Sequence, residues 1–288
     1  MCAREGLPPL LFFVLFLFYS KKMSLRHEIQ VPGEPGRRQV KVLEKLRHLL
    51  PRLEGFADTG RVASLGLAAI DRCLPRGGLP LGAVHEIAPA SARDIPSALG
   101  FAAALFARMP QDGPLLFVTS PRGLAGYGRP HGHGLNALGL DPARMILVDA
   151  SDEPQALWAI EEALRSGVPT AVVGAIGRRI DLKASQRLQL AARNPGVPLL
   201  LLRPAEAEGS SVAVTRWSVE AAEAARDRFG LLTHWRWHVR LERCRNGRPG
   251  EWLVEWDHVA HRFRLAATMA DTAFSEGAGA SIRVARAG

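Results

Sequence analysis

The chain has 288 residues, enough to bury one α/β core with appendages or two small domains. Its 47% hydrophobic and 23% charged content fits an ordinary globular protein, and its three cysteines, without CxxC or Cys/His spacing, exclude a disulfide framework and speak against a metal site. The net charge of +9 and pI of about 10.3 suggest an acidic partner such as nucleic acid. Residues 1–52, however, hold ten Lys/Arg against four Asp/Glu, so the rest of the chain is only mildly basic.

Residues 1–22 contain an apolar run, Leu10 to Tyr19, flanked by Arg4 and Lys21-Lys22. A bilayer span needs ~20 apolar residues, and no small-x-small cleavage site follows Tyr19. An over-long start with Met23 as initiator is expected, with a membrane anchor as the alternative; without the leader the protein is expected in the reducing cytoplasm. Residues 24–39 read as a polar arm containing Pro32, Gly33, Pro35 and Gly36. "VKVLEKLRHLLPRLEG" places Val42, Leu46, Leu49 and Leu50 on one helical face and Lys45, Arg47 and Arg52 elsewhere. That helix can dock on the body or touch DNA.

From residue 62 the pattern alternates strand and helix. The strands are "GAVHEIA", "PLLFVTS", "ARMILVDA", "PTAVVGAIG" and "VPLLLLRP"; the helices are Ser97–Met109, "EPQALWAIEEALRSG" and "LKASQRLQLAARN". Unbroken apolar strands predict a mostly parallel sheet covered by helices on both faces. After Arg203 the period changes to two. "SVAVTRWSVE", "LTHWRWHVRLER" and "GEWLVEWDHV" predict antiparallel strands, with Trp235, Trp237, Val239 and Leu241 on one side and His234, Arg236, His238 and Arg240 on the other. Asn246-Gly247 suits a turn with positive φ. The basic face either pairs with Glu251, Glu255 and Asp257 across the hairpin or meets nucleic acid.

The segment "EIAPASARDIPSALGF", Glu86 to Phe101, is a strand, a loop and a helix start. A phosphate-binding P-loop there would read G-x-x-x-x-G-K-[ST]. In that register the two glycines become Pro89 and Asp94, the lysine Ile95 and the hydroxyl residue Pro96. Proline lacks the N–H, isoleucine lacks the ammonium, and a carboxylate at the helix N-terminus can cap the helix and repel phosphate. A plain strand-to-helix loop, begun by Asp94 and Pro96, is the simpler account of the same residues.

"SLGLAAIDRCLPRGGLPLGAVHEI", Ser64 to Ile87, resembles the segment leading into the ATP site of RecA-type recombinases, through Leu67, Ile70, Asp71, Gly77, Gly78, Leu79, Pro80, Gly82, Glu86 and Ile87. The likeness continues weakly to about residue 258. With "GLNALGLDPARMILVDASDEPQALWAIEEAL", Gly134 to Leu164, the chain resembles the ImuA family. The implied organisation is a leader at 1–22, a basic arm and helix at 23–60, a RecA-like α/β core at 61–204, antiparallel strands at 205–260 completing the sheet, and a flexible tail at 261–288.

The resemblance implies a non-catalytic accessory protein of SOS-inducible, error-prone translesion synthesis, without a cofactor. It would bind an ImuB-like partner, with RecA and DNA as further partners and an error-prone polymerase indirectly. Against the RecA pattern, Gly174 stands where a Mg²⁺-binding Asp is expected, Ser120-Pro121 near the catalytic Glu, and Arg203-Pro204 at the γ-phosphate sensor. The first RecA DNA loop falls near Arg178, Arg179, Lys183 and Arg187, a basic cluster that a solvated helix start explains equally well. The second would be short and contain Glu206 and Glu208, which opposes strand exchange. His131 and His133 lie in a Gly/His-rich connection with little prospect of metal binding. A RecA-like ATPase with an unusual phosphate site and a SulA-like division inhibitor are the competing readings.

Overall fold

The computed structural model describes residues 60–266, apart from 111, 125–126 and 206–210. The expected leader, arm, first helix, Glu206, Glu208 and the end of the tail lie outside the described residues. Ten strands make the main sheet: β3 (Val84–Pro89), β4 (Leu115–Thr119), β5 (Met145–Asp149), β6 (Ala171–Ala175), β7 (Leu199–Leu202), β8 (Thr215–Ala221), β9 (Ala225–Arg226), β10 (Leu232–Cys244), β11 (Gly250–Asp257) and β12 (Arg262–Leu265). Nine of them form one continuous path in the order β12-β11-β10-β8-β3-β7-β6-β4-β5, and β9 pairs with β10 beside it. A separate ribbon pairs β1 (Val62–Ala63) with β2 (Leu79–Pro80).

The half of the sheet from β3 to β5 is parallel, as its apolar runs require. Alternate side chains feed two cores. On one face Ile87, Phe117, Val173 and Leu200 pack with Phe101 and Leu105 of α2 (Ile95–Ala107), where α1 (Ala68–Asp71) and α3 (Gly132–Ala137) add Ile70 and Leu135. On the other Val84, Leu116, Val172 and Leu201 meet α4 (Glu153–Ser166) and α5 (Leu182–Arg193) through Ile160, Leu164 and Leu188. Asp152 and Asp181 accept from Gln155 N–H and Ala184 N–H, capping α4 and α5, and Gly167 closes α4 with φ 65°.

β8 joins the two halves, running parallel to β3 and antiparallel to β10. Trp217, Trp237 and Trp256 are buried with Phe263 around Phe101. Trp235 keeps the expected side of the strand but departs in burial: it is 39% exposed. The cross-strand reading holds for Arg236, whose Nε donates to Glu255 at 3.1 Å, whereas Arg240 pairs with Glu242 on its own strand and Asp257 with Arg264 of β12. Asn246 takes φ 60° in the turn. A second departure concerns the expected tail. Its first residues form β12 and bury Phe263, because one more strand is needed to cover Trp256. Among the described residues no helix is long and apolar enough to cross a membrane.

Candidate functional site

The loop from β3 to α2 is held by hydrogen bonds directed inward. Ala90 N–H donates to Val219 C=O at 2.8 Å, Asp94 N–H to Ser91 C=O at 3.0 Å, and Ser91 N–H to the Asp94 carboxylate at 3.0 Å. That carboxylate also accepts from Ser91 Oγ at 2.6 Å and from Ala221 N–H of β8 at 2.9 Å. Burial opposes ionisation of Asp94. The bonds from Ala221 and Ser91, with the charge of Arg93, nevertheless hold its carboxyl below the usual carboxylate range.

This corrects the expected role of Asp94. Its side chain makes no cap bond to α2; it closes a capping box on the preceding 3₁₀ turn, Ala92–Asp94, and fastens that turn to β8. Ile95 and Pro96 form the helix start, where proline leaves one fewer N–H to satisfy. Pro89 ends β3, pairing with Val219. Beside the helix start lies an apolar cleft of about 490 Å³, lined by Ile95, Pro96, Gly100, Tyr127, Leu138 and Trp235 among others.

The neighbouring strand ends carry other partners. Gly174 lies in the buried strand β6, where a Cβ would stand 2.5 Å from Ile160 Cδ1, so an aspartate there would displace the core. Ser120 Oγ donates to Glu153 Oε1 at 2.7 Å and accepts from Gly177 N–H at 3.2 Å. Glu153 thus brings a carboxylate to the end of β4 from the first turn of α4. Its sequence signal is only that of an acid following a helix cap, which says nothing of Ser120. Arg203 is buried and donates to Glu86 Oε1 at 2.8 Å, and Arg216 donates to Glu86 Oε2 at 3.1 Å. These three line a polar cavity of about 270 Å³. In the sequence Glu86 stands out only as a motif position; its partners lie on β8 and at the end of β7.

The basic cluster divides. Arg178 and Arg179 are exposed before α5 and Lys183 is exposed in its first turn, but Arg187 pairs with Glu161 of α4. Buried Glu161 also binds Arg165, so Arg187 belongs to a contact between helices. His131 and His133 stack with ring centroids 5.3 Å apart, and among the described residues no group of three His, Cys, Asp or Glu could hold a metal ion.

No protein-family model matches the chain. It is 37% identical over 232 residues to Protein ImuA from two strains of Caulobacter vibrioides, a match covering 73% of this chain and 91% of each relative. With that identity sustained along nearly the whole relative, the chain belongs to the ImuA family.

Proposed function

We propose that this chain is a non-catalytic, RecA-like accessory protein of SOS-inducible, error-prone translesion DNA synthesis. It acts in the cytoplasm as an adaptor for an ImuB-like partner, which links it to an error-prone polymerase. RecA is a second partner by the same family reading. The observation that carries the non-catalytic part is the anchored Asp94: the N–H groups of Ala90, Ser91 and Asp94 are committed, and a carboxylate fills the turn that would cradle phosphate. Pro89 and Pro96 have no N–H to donate, and Ile95 has no cationic side chain in its place. In-line phosphoryl transfer also needs a metal ligand, and Gly174 supplies none, while the Glu153 carboxylate at the end of β4 is engaged by Ser120.

The apolar cleft at the α2 start suits a hydrophobic protein anchor better than a triphosphate. Arg178, Arg179 and Lys183 are the residues assigned to DNA contact. Co-purification of the full chain with its ImuB-like neighbour tests the adaptor reading. A stable complex, with or without DNA, is the expected result; absence of association under both conditions refutes it.

A further inference from the structure

Among the described residues, the outermost parallel strand is paired on one side only. β5 pairs with β4 over Met145–Asp149, and among the described residues no strand follows it in the sheet. Edge strands in soluble proteins are usually blunted by charge, proline or a bulge. This one reads Met-Ile-Leu-Val-Asp and leaves Ile146 50% and Leu147 43% exposed. Successive side chains point to opposite faces of the sheet, so a cover lying on one face would reach only one of the two. An added strand reaches both.

The backbone specifies how such a strand would lie. Ala150 N–H donates to Thr119 C=O at 2.9 Å, so the even-numbered residues turn their backbone groups toward β4. By alternation, the N–H and C=O of Met145, Leu147 and Asp149 face outward. We propose that β5 of a second copy of this chain occupies the edge, antiparallel about a two-fold axis through Leu147.

In that register Leu147 meets Leu147 of the second copy, and Met145 meets its Asp149. Every outward residue then faces an outward residue, which completes six N–H to C=O bonds. Ile146 lies opposite Val148 of the other strand, so the flanking pairs are apolar. Charge selects the same orientation: Arg144 precedes the strand and Asp149 ends it, and antiparallel pairing sets each arginine end beside an aspartate end. Both groups are already anchored, Arg144 on Gly113 C=O and Asp149 on Arg129. The contact is isologous and closes at two copies, joining two sheets into one. Built on five strand residues, it belongs to the small, reversible class of interfaces.

Sedimentation of the full chain over roughly a hundredfold concentration range tests this, because mass action shifts such an equilibrium. The expected result is a monomer converting to a dimer as concentration rises. Leu147→Lys, which sets two ammonium groups against each other on the axis, should raise the dissociation constant at least tenfold. Leu147→Cys should cross-link to itself on mild oxidation: directly opposed hydrogen-bonded residues have Cα atoms about 5.5 Å apart, within disulfide reach. Phe229→Cys, 72% exposed but on another part of the molecule, should not. The cysteine pair decides the matter if the lysine variant fails the circular-dichroism check for folding. A monomer at every concentration, or a dimer in which Leu147→Cys does not cross-link, overturns the proposal.

Discussion

At the scale of single residues, burial sets the charge state of His85 and its two hydrogen-bond partners set its tautomer. Trp217 Nε1–H donates to Thr215 Oγ1 at 2.9 Å, and that hydroxyl lies 2.8 Å from His85 Nδ1. His85 Nε2 is 2.9 Å from Pro80 C=O, which can only accept, so the proton sits on Nε2 and Nδ1 offers a lone pair to Thr215. Burial lowers the His85 pKa to about 4, the Pro80 bond offsetting part of the effect. The folded value is below the unfolded one, near 6.5. The unfolded chain therefore takes up the proton first, and stability is lost as pH falls from about 6.5 through about 4. Between pH 7.5 and pH 5 the loss should be about 2 kcal/mol, read from urea midpoints. His85→Gln should flatten the profile over that interval; an unchanged profile refutes the assignment. Gly174 gives a second prediction. Gly174→Ala should cost about 1–3 kcal/mol by overpacking against Ile160. Gly174→Asp should cost more, since it also buries an unpaired carboxylate. Equal unfolding midpoints for the two variants and the parent would show that β6 has room for an aspartate.

At the scale of elements, periodicity made the fold legible in the sequence. The parallel strands announce themselves as apolar runs because both of their faces are buried, and β10 and β11 as alternations because one face stays wet. β12 has no such signal because "RFRL" is short and charged, and Phe263 is buried through the distant rings of Phe101, Trp237 and Trp256. The departures at the candidate site have the same origin. Asp94 reaches Ala221 across 127 positions and Arg203 reaches Glu86 across 117, and local pattern carries no trace of either pairing. Arg187 is the clearest case. In sequence it joins a basic cluster, whereas in the fold it ties α5 to α4 through Glu161. If Arg178, Arg179 and Lys183 touch DNA, changing each to Ala should reduce the slope of log affinity against log salt by roughly one for each phosphate left without its cation. Arg187→Ala should leave that slope unchanged, because its charge is already spent on Glu161. Fluorescence anisotropy with single-stranded DNA over a salt series separates the four, and an equal drop for Arg187→Ala would mean that the cluster acts as one unit.

For the molecule as a whole, the positions where the proposed reading finds no nucleotide chemistry are tied into the surrounding structure. Asp94 ties the β3–α2 turn to β8, Gly174 admits Ile160 into the packing of α4 against the sheet, and Glu86 holds arginines from the ends of β7 and β8. Placing the glycine of a P-loop at Asp94 would therefore remove structural bonds before it created a phosphate site. Ligand linkage makes this measurable. A nucleotide present at ~100 times its dissociation constant adds ~2.7 kcal/mol to stability. In a domain of this size that shifts Tm by roughly 5–10 °C. The full chain with Mg-ATP or Mg-ADP should instead melt within about 1 °C of its unliganded Tm. Asp94→Gly should melt lower than the parent and remain insensitive to nucleotide, because it gives up the bonds from Ser91 and Ala221 without gaining a cation. A nucleotide-dependent rise of several degrees in the parent protein would return the chain to the active ATPases, and a rise confined to Asp94→Gly would make that one carboxylate the whole barrier to nucleotide binding.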